Sequence, residues 1–225
     1  GGRNCQIALL YSNPSAAYMS ALLMGALDAC ARLDAQLVVE PFTDGLDPDV
    51  IVAGLAKRRI DAVLLPPPLC DMAELVAALT EARLPVAQVA TAMADPACFA
   101  VSINDSDAAA AMTAHLIAKG HSRIGFVIGS PLQSASARRL DGFRRAMAAA
   151  GLPVDEALVA QGDFTYRSGL AAGEALLSLA DRPTAIFASN DDMAAAVVAV
   201  AHRMGLSVPG EVAVSGFDDT IMATS

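Results

Sequence analysis

Short apolar runs alternate with helical periods along the whole chain. Candidate strands are Gln6–Tyr11, Gln36–Glu40, Ala62–Leu65, Val86–Val89, Phe99–Ile103, Arg123–Ile128, Leu158–Gln161, Ala185–Ala188 and Val212–Ser215. Candidate helices are Tyr18–Leu33, Asp49–Lys57, Met72–Ala82, Asp105–Ala118, Ala135–Ala150, Tyr166–Leu179 and Asp191–Met204. Strands that alternate with helices of this length predict βαβ units and parallel sheet. The strands are nearly continuous apolar runs, as helices on both sheet faces would require. Gly120, Gly151 and Gly205 follow helical stretches, where a left-handed cap is common. Pro85, Pro153 and Pro209 come soon after helix ends.

Nine strands crowd a single small doubly wound sheet, and the pattern restarts after residue 103. The expected architecture is α/β: two doubly wound parallel-sheet lobes, 1–103 and 104–225, with a cleft between them. The run from Thr220 to Ser225 follows the last strand with nothing after it, so the C-terminal part of the fold reads as missing.

Composition narrows the function classes. With 225 residues, 55% hydrophobic and 17% charged, there is ample material for a core. No run of 18 or more uncharged apolar residues is present, and the first residues carry no signal-peptide apolar region. The net charge is −9. The clusters Lys57-Arg58-Arg59, Arg138-Arg139 and Arg144-Arg145 form no long basic stripe, so this stretch alone is not expected to bind DNA. Cys5, Cys30, Cys70 and Cys98 have no C-x-x-C spacing and apolar neighbours. They are expected to be small core thiols, reduced, in a cytoplasmic protein.

In open α/β sheets ligands sit at the carboxyl ends of strands. The loops there contain Ser12-Asn13, Phe42-Thr43-Asp44, Pro66-Pro67-Pro68, Ser130 to Arg139, Asp163-Phe164, Ser189-Asn190 and Phe217-Asp218-Asp219. Hydrogen-bonding groups with a few isolated aromatics suit a neutral polyhydroxy ligand. Asn190 has two readings, a ligand contact at a strand end or a helix N-cap. Arg139 also has two, an exposed helix arginine or a guanidinium paired with ligand oxygens. Asn13 and Tyr18 are the candidates around the first strand end. No G-x-G-x-x-G, G-x-x-x-x-G-K-[ST] or G-x-S-x-G occurs, and His115, His121 and His202 are scattered. Neither a metal, a cofactor nor catalysis is implied.

Four segments resemble a known family. They are His115 to Gly125 (HLIAKGHSRIG), Ser136 to Phe143 (SARRLDGF), Pro183 to Ala194 (PTAIFASNDDMA) and Val208 to Asp219 (VPGEVAVSGFDD). In order and spacing they are similar to signatures of the lactose-repressor (LacI/GalR) family of bacterial regulators. Ile60 to Pro66 and Leu84 to Val86 fit its weaker N-terminal patterns. The resemblance implies a periplasmic-binding-protein-like effector domain, type I. A homodimer is expected through helix faces rich in small and apolar residues, Asp191–Met204 in the second lobe and Tyr18–Leu33 in the first; the stripe Ala194, Ala195, Val198 and Ala201 has the alternative of packing on its own sheet. The resemblance also implies a helix-turn-helix domain ahead of the effector domain to contact operator DNA. Carried over residue by residue, it makes Arg139, Asn190 and Asp218 effector contacts. Phe164 falls where the family often places an aromatic on the effector, and Ile103 falls at the lobe crossover, where many members offer a pocket residue. Two positions depart from the pattern: Ala90 where many relatives are acidic, and Ile103-Asn104 where many have Asp-Asn. The reading is therefore a sugar-responsive regulator's effector and dimerisation core. A periplasmic sugar-binding protein of a transporter is the alternative, and a sugar-modifying enzyme lacks any motif to support it.

Overall fold

Two separate parallel sheets organise the computed structural model, which describes residues 5–43 and 45–224. The chain divides between Ile103 and Asn104 into two compact units. The first contains β1 (Cys5–Tyr11), α1 (Ala16–Arg32), β2 (Ala35–Pro41), α2 (Pro48–Lys57), β3 (Ala62–Leu65), α3 (Ala73–Glu81), β4 (Val86–Val89) and β5 (Phe99–Val101). Its strands lie in the order β2-β1-β3-β4-β5, all parallel. The second unit contains α4 (Asp105–Ala118), β6 (Ile124–Ile128), α5 (Ser134–Ala149), β7 (Val159–Gln161), α6 (Tyr166–Leu177), β8 (Ala185–Ala188), α7 (Asp191–Arg203) and β9 (Ala213–Ser215). Its order is β7-β6-β8-β9, again all parallel. The expected pair of parallel α/β lobes is what the chain forms.

The central strands of the second sheet, β6 and β8, are buried on both faces, for the reason the apolar runs gave. In β8, Ala185 and Phe187 pack toward α4 and α5, while Ile186 and Ala188 pack toward α6 and α7. Phe126 anchors the first of these layers, its ring 4.9 Å from Phe143 and edge-on to Phe187 at 5.2 Å. The α6–α7 layer depends on close backbone approach. A Cβ at Gly169 would stand 2.7 Å from the Met193 Cα and 2.8 Å from the Ala196 Cβ.

In the first unit one layer is dense: Leu55, Leu75 and Leu79 of α2 and α3 close over Val63 and Leu65. The opposite helix is thinly covered. Only Cys30 of α1 is buried, and Met24 is 62% exposed with Leu27 and Leu33 also open.

Helix ends differ between the units. α4, α5 and α7 close on left-handed glycines, Gly120, Gly151 and Gly205. α1, α2 and α3 close on Asp34, Arg59 and Arg83 at φ 53°, 59° and 58°, with no glycine. The hydrogen bonds are of the same kind in both. Leu84 N donates to Leu79 O after α3, as Leu206 N donates to Ala201 O after α7.

Several expectations need correction. Cys5 is exposed rather than a core thiol, because it is the first residue of β1, ahead of the buried stretch Ala8 to Leu10; Cys30 and Cys70 are buried, Cys98 is half-buried, and all four thiols are free. β5 stops at Val101, which leaves Ile103 exposed in the crossover, outside the sheet. α1 starts two residues earlier than Tyr18, because Ser15 caps it and accepts from Tyr18 N. Asp44, in the second strand-end loop, lies outside the described residues. Among the described residues no helix is long and apolar enough to cross a membrane.

Candidate functional site

Each sheet reverses its winding once. The first does so between β1 and β3, the second between β6 and β8. Ligands of open α/β sheets lie outside the carboxyl ends of the strands at such a reversal. In the first unit Asn13 occupies this position. Its Oδ1 accepts from Ser15 N (2.9 Å) and its Nδ2 donates to Pro67 O (3.0 Å), tying the loop after β1 to the loop after β3. Tyr18 follows, half-buried in the first turn of α1.

In the second unit the reversal is occupied by Arg139, from the second turn of α5. Its residue exposure is only 8%, so the exposed-arginine reading fails. Nε donates to Asp105 Oδ1 at 2.9 Å, and Nη1 donates to Ser189 O at the end of β8. Asp218 Oδ1 is 3.7 Å from Nη1. The guanidinium lies over the Phe217 ring, 3.6 Å from its centroid, with the Phe164 ring at 5.8 Å. A buried cation is thus paired, hydrogen-bonded and stacked, which is what its burial demands.

Asn190 is buried and is the N-cap of α7. Its Oδ1 accepts from Met193 N (3.0 Å), and its Nδ2 donates to Phe164 O (3.0 Å). The amide therefore both caps a helix and holds Phe164, whose φ of 72° is in the left-handed region. That conformation is rare for a bulky residue. The Phe164 ring is buried over Gly129, where an added Cβ would come within 2.0 Å of Cζ.

The loop after β9 is strained in the same way, with Asp218 at φ 104° and Asp219 at φ 54°. Strain of this kind collects at functional sites. Asp191, buried at the start of α7, secures the loop: its Oδ2 accepts from Thr220 N (2.7 Å) and Thr220 Oγ1 (2.9 Å). Asp218 has an open backbone, but its side chain is only 20% exposed. Burial pushes its carboxyl up to about 7; Arg139 opposes the shift, and Asp191, Asp192 and Asp105 add to it.

The structure thus brings together Arg139, Asn190, Asp218 and Phe164 in the second unit, while Asn13, Tyr18 and Ile103 belong to the first. Asp105 and Asp191 were not singled out by sequence reasoning. A buried arginine in an otherwise apolar layer calls for an acid, but nothing in the sequence says which of 24 carboxylates supplies it. Among the described residues no group of three or more His, Cys, Asp and Glu side chains could hold a metal ion.

A family model for the periplasmic binding protein-like domain matches residues 113–225. The sequence is 33% identical over 221 residues to the HTH-type transcriptional regulator CelR of Thermobifida fusca, covering 95% of this chain and 62% of CelR. It is 36% identical over 152 residues to catabolite control protein A of Priestia megaterium, covering 67% of this chain and 46% of that protein. The solved complex of the regulator CelR with cellobiose superimposes with a TM-score of 0.86 at 31% identity, covering 98% of this chain and 70% of that one. This chain belongs to the LacI family, in its periplasmic-binding-protein-like part. As a LacI-family domain it spans about half to three-fifths of the length of the two curated relatives it matches. Those relatives are regulators. The β6–β8 reversal, with Arg139 and Asn190, lies in the segment that the family model covers.

Proposed function

We propose that this LacI-family chain is the effector-binding and dimerisation core of a cytoplasmic transcriptional regulator, without catalytic activity, and that its effector is a neutral sugar or sugar derivative. The observation that carries this reading is the buried Arg139 at the carboxyl ends of β6 and β8, set among oxygen acceptors and aromatic faces. Such a site offers directional hydrogen bonds for hydroxyls and ring surfaces for the CH face of a sugar. The four nearby carboxylates, Asp105, Asp191, Asp192 and Asp218, outweigh the single arginine and disfavour an anion. The likeness to the CelR–cellobiose complex supports the sugar class.

Arg139, Asp218 and Phe164 are the second-unit effector contacts in this proposal, with Asn190 holding Phe164 in place. Asn13, Tyr18 and Ile103 are the contacts contributed by the first unit. Effector binding acts by shifting a population: operator affinity changes to the extent that the effector binds one conformational state better than the other. DNA contact belongs to a helix-turn-helix domain of the whole protein, since this segment carries a net charge of −9. The partner is a second copy, and α1 is the first candidate for the contact.

Calorimetric titration with cellobiose, glucose and other neutral sugars tests the site. The expected result is saturable binding, weakened about tenfold or more in Asp218→Ala, a change that leaves the Arg139–Asp105 pair in place. Equal binding by the variant would remove Asp218 from the site. Binding of none of the sugars would overturn the effector class.

A further inference from the structure

Acids outnumber cations at the carboxyl end of the second sheet. Asp218 is faced by Arg139 from α5, Asp105 from α4, and Asp191 and Asp192 from α7, with Asp219 beside it in its own loop. The other acids are supported as anions. Asp105 Oδ1 accepts from Arg139 Nε at 2.9 Å, and Asp191 Oδ2 accepts from both Thr220 N and Thr220 Oγ1. Asp192 is half-buried in the first turn of α7, where the helix dipole favours negative charge. Asp218 lacks such support. Among the described residues no hydrogen bond reaches its carboxyl, and Arg139 Nη1, 3.7 Å away, already donates to Ser189 O. The Asp191–Thr220 hydrogen bonds strap the loop, so the carboxyl stays largely buried instead of turning out to water. Asp218 is therefore the acid of this cluster that takes a proton most readily. Burial pushes it up to about 7, with Asp191, Asp192 and Asp105 adding to the shift and Arg139 opposing it. The three histidines lie at the opposite end of the same sheet, in the last turns of α4 and α7 and just before β6.

A neutral hydroxyl has the polarity to fill the gap between Arg139 and Asp218. A guanidinium can only donate, and the hydrogens of Arg139 Nη2 meet no acceptor among the described residues. A ligand hydroxyl that accepts from it turns its own hydrogen toward Asp218. That hydrogen is held roughly twice as strongly by an ionised carboxylate as by a neutral carboxyl. We propose that the effector site is proton-linked: a neutral polyhydroxy effector binds with release of one proton from Asp218 to solvent, so its affinity rises with pH. This rests on the sugar-class reading above and adds a second input to it. The coupling is reciprocal, since whatever favours loss of the proton also favours the bound state. The same concentration of effector then fills fewer sites as the medium acidifies.

The test uses the full chain and calorimetry, with cellobiose and glucose as probes. Titrations at about pH 6 in phosphate and in a buffer of high ionisation heat give the number of protons exchanged. Close to one proton released per sugar is expected, and affinity about tenfold or more higher at about pH 7.5 than at about pH 5.5. Asp218→Asn keeps the shape of the side chain but cannot ionise, and is expected to release no proton and to bind with the same affinity at both pH values. Carbon-13 NMR of the parent reads the group directly: the Asp218 carboxyl is expected to be protonated without sugar at about pH 6 and ionised with saturating sugar. If sugar binds with no proton exchanged, or with a proton taken up, the linkage is overturned while the sugar-class reading stands. Proton release that persists in Asp218→Asn, or an Asp218 carboxyl already ionised in the free chain, overturns it as well. If the parent binds neither sugar at either pH, the class reading and the linkage fall together.

Discussion

Arg139 and Asp218 sit 3.7 Å apart and play different parts. Arg139 is tied to Asp105, which is itself buried, so Arg139→Ala leaves a carboxylate without its cation. Breaking one side of such a pair typically costs about 3–5 kcal/mol. Urea unfolding of Arg139→Ala should show a loss of that order; a loss below about 1 kcal/mol would mean that water reaches Asp105 freely. Asp218 can be replaced with less damage, and its effect depends on pH. Its folded-state pKa, about 7, is above its ordinary value of 3.8. Between those values the folded chain holds a proton that the unfolded chain has released. Stability from this group is therefore full below about pH 4, falls as pH rises toward 7, and is level beyond. Urea unfolding across that range should show a downward slope that flattens in Asp218→Asn; an unchanged slope would assign it to another group. The sequence showed Arg139, Asn190 and Asp218 through their motifs. It did not show that Asn190 uses its amide on Met193 N and Phe164 O, because two readings of a strand-end Asn look alike until the φ of Phe164 is known.

At the scale of elements, the nine strands and seven α-helices of the described residues were legible, because buried parallel strands are short apolar runs and amphipathic helices are longer periodic ones. Their ends were less so. β5 ends early at Val101 because Ile103 has no neighbouring strand to continue along. The small-residue face of α7 could have faced either its own layer or another subunit. The structure buries Ala201 and packs Ala194 against the α6–α7 core, leaving Ala195 and Val198 half-buried. Tight approach of α6 to α7 explains why glycine is needed at 169. Gly169→Ala inserts a methyl group where Met193 backbone already lies, and overpacking of this kind costs about 1–3 kcal/mol. Thermal unfolding should record that loss. A neutral result would show that α6 can slide away without disturbing Asn190 and the site.

For the whole molecule, the uneven coverage of α1 bears on assembly. Met24, Leu27 and the exposed small residues Ala21 and Gly25 line an apolar helix face with no described cover. A two-fold axis pairs one such patch with its own copy. Sedimentation of the full-length protein is expected to show dimers, and Met24→Asp is expected to give folded monomers. Dimers that persist in Met24→Asp would move the interface to another face. The β/α pattern restarts after residue 103 in the sequence, and the contacts of the chain group into the units 1–103 and 104–225. The coverage of α1 was not visible, because the periodicity of an apolar helix is the same whether its neighbour is its own sheet or another chain.

The helix ends at Asp34, Arg59 and Arg83 have a practical consequence. Each holds a side chain in a conformation that disfavours one by on the order of 1 kcal/mol, and each lies away from Arg139 in sequence and in unit. Glycine at Asp34 and Arg83 would relax the backbone without touching Arg139 and its partners in the second unit. Substitutions to glycine at these helix ends are therefore expected to raise the melting temperature of the first unit while leaving Arg139 and its partners untouched.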